Sequence, residues 1–435
     1  MKKTYLSLAF LTLAVCLGAS AQELTREVKA EHTWSAVAEL SNGQWVVANK
    51  RNNETSFIRV DSTSGTAQAI HFGPGLEVYD MEKASMYFCG SILTNSGWKG
   101  VVGYLTNFSF TSGQVNYLVI DEVEILQKMV RYYEDGCHHL SMVGISSSGS
   151  HVVDVVHNPY EFGNTGWWVH SGTVNYYPCR LDGIAVTDSK VVLSGRNTHS
   201  RTGYLFMFDR GALPGTPFFF RTGRTEVLPG DPTAPVRVTG GLLDTCFAAY
   251  RTADRHLRIC KYKASSLSHA QSPASTLCSN KQFNNITLNR GFSLYNICTD
   301  QAGTGLHLLV YPAAKVGSPQ TSQVWHVPPS RMAVGGDIQA HTYSNVHLFT
   351  MARRIHQQKG IVASGERDGS HILNLYRLKS DTWGNCTLQD TAYLEHAEHT
   401  YSSPPNVAVS ESSRSLTFKS KICTVENLPV NNICQ

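Results

Sequence analysis

Apolar residues recur along this chain as paired short runs rather than on a helical period. Trp45, Val46 and Val47 open one run, and Phe57, Ile58 and Val60 carry its mate. The same pairing joins residues 86–90 to 100–104, 140–144 to 151–155, 190–195 to 203–209, 246–250 to 256–260, 292–295 to 306–310 and 360–365 to 371–375. A weaker copy joins 415–419 to 422–425. Gly, Asn, Ser, Thr and Asp fill the breaks, so each pair reads as two strands around a hairpin turn. Successive copies begin roughly 40 to 70 residues apart, which leaves room for one strand before and one after each hairpin.

Four strands repeated at that period predict an all-β fold, a β-propeller of seven or eight four-stranded blades. Residues 25–31 are placed to lend an outer strand to the C-terminal blade and close the ring. Residues 123–133 fit a helical turn or a strand about equally, and no other window favours a helix. Paired β-sandwiches and a β-helix are the competing architectures. Sandwiches do not require this period, and a β-helix repeats at a much shorter one.

The N-terminus follows a different pattern. Lys2 and Lys3 precede an apolar stretch at residues 6–17, and Gly18, Ala19, Ser20 and Ala21 follow it. A charged start, a short apolar core and small residues before the cut predict a signal peptide, residues 1–21. The stretch falls short of the roughly 20 apolar residues a membrane span needs. Acylation at Cys16 is an alternative, but Val15 stands where that signal wants a small side chain. The expected mature protein is residues 22–435, a single extracytoplasmic domain in the periplasm, at the cell surface or secreted. It has no transmembrane segment and is expected to be a monomer. Ser and Ala crowd residues 264–279, which read as a long surface loop.

Charge and cysteine content sharpen this. The formal net charge is +4, with Lys2 and Lys3 in the leader and no basic run elsewhere, so nucleic acid is not an expected partner. Outside the leader lie Cys89, Cys137, Cys179, Cys246, Cys260, Cys278, Cys298, Cys386, Cys423 and Cys434, an even set in an oxidising compartment. That predicts disulfides, with Cys246–Cys260 across a hairpin and Cys423–Cys434 across the tail as the candidates. No spacing is Cys-x-x-Cys, so neither zinc nor a redox pair is indicated.

Residues 190–209 resemble the blade repeat of secreted bacterial β-propellers, in which a strand ending in Gly, here Gly195, leads through a polar turn to a strand ending in Asp, here Asp209. Residues 86–105 and 360–378 resemble it more loosely, and residues 19–22 are similar to signal-peptide ends of exported Bacteroidetes proteins. The resemblance implies a fold and an address, and no activity. The Trp-Asp pairs of WD40 blades are missing. Gly240–Gly241 and Gly335–Gly336 are too few for kelch blades, and the Ser-x-Asp-x-Gly-x-Thr-Trp turn of sialidases is absent.

Candidate chemistry is sparse. Residues 144–149 exceed the Gly-x-Ser-x-Gly elbow by one residue and read as turn chemistry. His138 and His139 are neighbours on a strand and point to opposite faces, which suits no shared metal ion. His396 and His399 belong to a polar segment. Asp61, Asp135, Asp188, Asp209, Asp254 and Asp368 fall at turns, where such side chains bond their own backbone. No cofactor or metal is expected, and no catalytic constellation emerges. Asp61-Ser62-Thr63 and Asp390-Thr391-Ala392 are similar to acceptor sequences for O-glycosylation, and Asn107 and Asn285 head Asn-x-Ser/Thr sites.

Adjacent aromatics mark the expected binding surface. Trp167 with Trp168, and Tyr176 with Tyr177, place one ring of each pair away from the core if they lie on strands. Trp98, between Gly97 and Lys99 at a turn, is a third candidate. These residues suit stacking on a sugar or packing on a protein, and their competing role is packing between blades. The expected function is a non-enzymatic binding or scaffold protein recognising a protein or glycan through propeller loops. The alternative is a polysaccharide hydrolase or lyase with carboxylates at the central mouth.

Overall fold

The computed structural model describes residues 24–434 except 32–33, 53, 62–63, 83–85, 107–112, 135, 158–166, 175–178, 211–216, 221–222, 229–230, 254–256, 265–280, 285–291, 301–304, 313–320, 329–330, 332–335, 355–359, 368–371, 379–387 and 399–408. The expected leader lies outside these residues.

Strand β1 (Leu24–Glu31) precedes a series of antiparallel meanders. The first is β2 (Trp34–Glu39), β3 (Trp45–Arg51), β4 (Glu54–Val60) and β5 (Ala67–Pro74). Next come β6 (Leu76–Met81), β7 (Tyr87–Thr94), β8 (Gly97–Thr106) and β9 (Gly113–Ile120), then β10 (Ile125–Glu134), β11 (Cys137–Ser146), β12 (Gly149–His157) and β13 (Trp167–Val174). The fourth is β14 (Cys179–Val186), β15 (Lys190–Asn197), β16 (Gly203–Asp209) and β17 (Gly223–Leu228). It is followed by β18 (Arg237–Gly240), β19 (Thr245–Arg251), β20 (Leu257–Lys263) and β21 (Lys281–Asn284), and by β22 (Phe292–Thr299), β23 (Leu306–Pro312), β24 (Thr321–Val327) and β25 (Gly336–Ser344). The last, β26 (Val346–Arg353), β27 (Ile361–Arg367) and β28 (Ile372–Leu378), takes β1 as its outer strand, with Leu24 opposite Arg377. The N-terminal strand thus closes the C-terminal meander, and residues 125–134 are strand rather than helix.

Four further strands end the chain: β29 (Leu388–Glu398), β30 (Val409–Leu416), β31 (Lys419–Leu428) and β32 (Val430–Cys434). β31 pairs with both β5 and β9, and β29 with both β21 and β25. Each bridge fuses two meanders into one nine-stranded sheet. β30 adds to β13 and β32 to β1. The described residues therefore form five hydrogen-bonded sheets in a propeller-like arrangement, and not seven or eight separate four-stranded blades. The partial eighth hairpin at 415–425 is replaced by strands that cap the outer edges of other meanders. Capping satisfies edge N–H and C=O groups that would otherwise be open to another chain.

The strands β2, β6, β10, β14, β18, β22 and β26 each touch the next in that order, and β26 touches β2. Their meanders pack face to face, so the apolar clusters lie between consecutive meanders. Trp45, Val47 and Ile58 of the first pack on Ala352, Val362 and Leu375 of the last. Phe57 and Ile70 pack likewise on Val78, Phe88 and Val101 of the second. This is nearest-neighbour stacking, in which each meander buries both faces against its neighbours. It explains the continuous apolar runs, such as residues 190–195, where a one-sided sheet would alternate with polar residues.

Among the described residues no disulfide forms. Cys89, Cys137, Cys179, Cys246, Cys260, Cys298 and Cys423 are buried thiols. Cys246 lies opposite Tyr262 and Cys260 opposite Ala248. The two cysteines are thus diagonal neighbours, about 7–8 Å apart in such a ladder, beyond the roughly 6.8 Å limit for a bridge. Cys423 is likewise a free thiol, which removes the Cys423–Cys434 pair. Buried as thiols, these residues pack as small side chains, so they carry no evidence of an oxidising compartment.

Candidate functional site

Five of the innermost strands carry the same irregularity. Their ladders slip by one residue between Val78 and Asp80, Leu126 and Lys128, Leu181 and Gly183, Leu294 and Asn296, and Leu348 and Thr350. The extra residues of these β-bulges are Tyr79, Gln127, Asp182, Tyr295 and Phe349. A bulge re-aims a side chain that regular pairing would commit to one face of the sheet. All five extra residues line one central opening, together with Lys128, Arg180, Pro235, Arg237, Asn296 and Thr350.

The neighbouring strand accommodates most of the bulges by a local device. The carbonyl two residues before the extra residue swings toward the second strand, where four of the five sites place a glycine: Gly90, Gly144, Gly195 and Gly365. A Cβ on Gly90 would stand 1.8 Å from the Glu77 oxygen, and one on Gly365 would stand 2.2 Å from the His347 oxygen. The Gly that ends the second strand of the repeat is therefore the partner of a bulge that aims residues into the opening.

The opening combines aromatic rings, cations and engaged carboxylates. Tyr79 donates from its hydroxyl to Glu77 Oε2 at 2.5 Å. Burial and that carboxylate push its pKa up to about 12. Burial likewise pushes Tyr295 up to about 12, against the opposing pull of Arg237. Asp80 accepts from Lys128 Nζ at 3.2 Å and from the Met129 N–H at 3.1 Å. Asp182 Oδ2 accepts from Arg196 Nε and the Val236 N–H, each at 3.1 Å. Burial raises the pKa of Asp182, with Arg196 opposing. Asn296 donates to Met351 O at 3.0 Å and accepts from the Ile297 N–H, which fixes its amide on the wall.

The tryptophan candidates lie elsewhere. Trp167 and Trp168 sit on β13, the outer strand of their meander, opposite Leu416 and Ser415 of β30. Both are half-buried. Trp167 packs edge-on against Phe418 at 5.3 Å and lies 4.9 Å from the His157 ring. Neither lines the opening, and Tyr176 and Tyr177 lie outside the described residues. Trp98 is 38% exposed and faces Leu93, 54% exposed, across the β7–β8 hairpin. Leu76 at the start of β6 pairs with Ile92, so that hairpin tip rises at the same end of the ring as the N-termini of the innermost strands.

Other candidates resolve into local structure. His139 shares a 2.9 Å hydrogen bond with Asp154, which also accepts from Ser141 Oγ at 2.6 Å, all buried within one sheet. His138 is directed to the other face, against Tyr133 and His157. In the 146–149 turn, Ser146 and Ser148 hydroxyls meet His151 Nε2 at 2.7 and 3.2 Å. Asp61 Oδ1 accepts the Ser64 N–H at 3.1 Å as a turn residue does, and Asp209 pairs with Lys190. His399, Asn107, Asn285 and the Ser62–Thr63 acceptor pair lie outside the described residues. Among the described residues no group of three His, Cys, Asp or Glu side chains is placed to hold a metal ion. No described helix is long and apolar enough to cross a membrane.

The bulge series was missed in the sequence, although it leaves a trace. An apolar residue, the bulged residue, a small or polar residue and then Met or Ile recur at 78–81, 126–129, 181–184, 294–297 and 348–351. No known protein-family model matches the chain, and no curated protein matches it significantly.

Proposed function

We propose that this chain is an exported, non-enzymatic binding protein that receives its ligand in the central opening of the ring. The observation that carries the reading is the bulge series, five β-bulges at equivalent positions directing Tyr79, Gln127, Asp182, Tyr295 and Phe349 into one opening. Bulges re-aim side chains at a cost in regular pairing, so their recurrence at one opening speaks for a site. The fittings are those of recognition: aromatic walls, the fixed amide of Asn296 and cations, with the nearby carboxylates held by Lys128, Arg196 and backbone N–H groups. A hydrolase needs two carboxyl groups facing one bond.

In this reading each four-strand meander is one blade and the ring has seven. The fused sheets arise because β29 and β31 cap two blade edges at once. The apolar stretch at residues 6–17, read as a signal peptide, supports an extracytoplasmic address, and the opening suits a small polar group such as a sugar residue or a side chain. A glycan-array and pull-down screen of the exported protein tests this, with Tyr295→Ala run alongside. A specific ligand captured by the wild type and lost in the variant supports the reading. A ligand captured equally by both contradicts it, as does hydrolysis of a captured polysaccharide.

A further inference from the structure

The opening contains one group whose chemistry its surroundings do not complete. Arg237, at the start of β18, is half-buried and lines the central channel along with its opening. Its Nε is sealed from solvent and has no hydrogen-bond partner among the described residues. The nearest carboxylate, Asp182, is already bonded to Arg196 and to the Val236 N–H, and lies outside ion-pair distance of Arg237. Burial lowers the pKa of Arg237, with the field of Asp182 opposing. A half-buried guanidinium whose sealed Nε–H finds no acceptor leaves part of its hydrogen-bonding capacity unmet.

We propose that Arg237 is the anchor of a carboxylate-binding site in the opening, and that the ligand is an acidic sugar of the uronate class. A guanidinium presents a planar fork of N–H donors that matches a carboxylate in a bidentate pair. Arg180, lining the same opening, adds positive field, while Lys128 is already paired with Asp80. Asn296 and the hydroxyls of Tyr79 and Thr350 provide polar groups for ring hydroxyls, and Tyr295 and Phe349 provide apolar surface. The cavity holds about 180 Å³, which admits one small ring and excludes a folded partner. This inference rests on the reading of the opening as a ligand site.

Isothermal titration of the exported protein with D-glucuronate, D-galacturonate, inorganic phosphate and neutral D-glucose is the test. The expected result is binding of a uronate and none of glucose. Arg237→Gln should weaken uronate binding at least tenfold, about 1.4 kcal/mol, and Arg237→Lys should recover part of it. Arg237→Gln should leave the melting temperature unchanged or raised, since it removes a sealed N–H that no partner satisfies. No uronate binding, or uronate binding indifferent to Arg237→Gln, overturns the proposal. Phosphate binding without uronate binding overturns it also, as a general anion site. Glucose binding that is lost in Tyr295→Ala but unaffected by Arg237→Gln overturns the acidic ligand and leaves the opening as the site. If the Tyr295→Ala variant keeps every ligand that the array captures, the opening itself is ruled out.

Discussion

The bulge and the glycine opposite it form one unit, and Gly90→Ala breaks that unit at a single carbon. The added Cβ would lie 1.8 Å from the Glu77 carbonyl oxygen, 2.9 Å from its carbon and 3.0 Å from Val78 Cα. Ordinary Cβ contacts stop near 3.0 Å, so the intrusion into the oxygen is about 1.2 Å. All three neighbours are backbone, and no side-chain rotation relieves them. The strands must separate or the bulge must flatten. Overpacking of a well-packed site costs about 1–3 kcal/mol, and a collision with backbone on every side belongs at the upper end, about 3 kcal/mol. Flattening would also withdraw Tyr79 from the opening. Urea unfolding followed by far-ultraviolet circular dichroism measures the first effect, and ligand titration measures the second. Gly97→Ala is the control. Its φ is +100° with nothing within 4 Å of the added carbon, so it carries conformational strain alone, about 1 kcal/mol. A Gly90→Ala protein within about 0.5 kcal/mol of wild type, the range of a bland surface change, would refute the account of how the bulges are accommodated.

Three further outcomes follow from the buried polar groups. Arg354 Nε meets Glu39 Oε1 at 3.3 Å, both fully buried, where the last innermost strand returns to the first. Arg354→Met should cost about 3–5 kcal/mol by removing the buried cation opposite Glu39, and the double variant Glu39→Gln/Arg354→Met should recover most of that in the same urea assay. His307 and His341 are held neutral: burial lowers both pKa values, His341 to about 3, and neighbouring His326 adds to each shift. Because the folded values lie below the unfolded value of 6.5, the unfolded chain takes up the protons first. Stability should hold above pH 7 and fall as the pH drops below about 6.5, with the His341 share of the loss continuing toward its folded value, and His307→Gln/His341→Gln should blunt the fall. The Cys179 and Cys246 thiols are pushed up by burial, Cys179 to about 12. Thiol reagent at pH 8 should leave the native protein nearly untouched and label at least these residues once it is unfolded without reductant. An unfolded protein lacking reactive thiols would restore the disulfides.

The strand pairs were legible because each meander is buried on both faces, which writes long β-branched runs such as 190–195 into the sequence. Closure by the N-terminal strand was legible for the same reason, since Val28 is a core residue. The C-terminal strands were not. Residues 409–416 read Val-Ser-Glu-Ser-Ser-Arg-Ser-Leu, because an outer capping strand contributes backbone hydrogen bonds more than apolar surface. Cysteine counting misled because pairing depends on register: Cys246 and Cys260 miss by one diagonal step that spacing alone does not reveal. The adjacent tryptophans drew attention as aromatics, yet their strand is the outer one and β30 covers it. The opening was hidden because its residues lie one per meander, far apart in sequence, and share only a bulge. The signal that finds them is the short motif ending in Met81, Met129, Ile184, Ile297 or Met351, with a glycine on the following strand at every site but that of Ile297.

The most direct measurement is an experimental structure of the exported protein bound to the ligand its screen captures. Ligand density in the central opening, against Tyr79, Tyr295 and Arg237, is the predicted result. Ligand density against Trp167 and Trp168, or anywhere that leaves the central opening empty, would contradict the account.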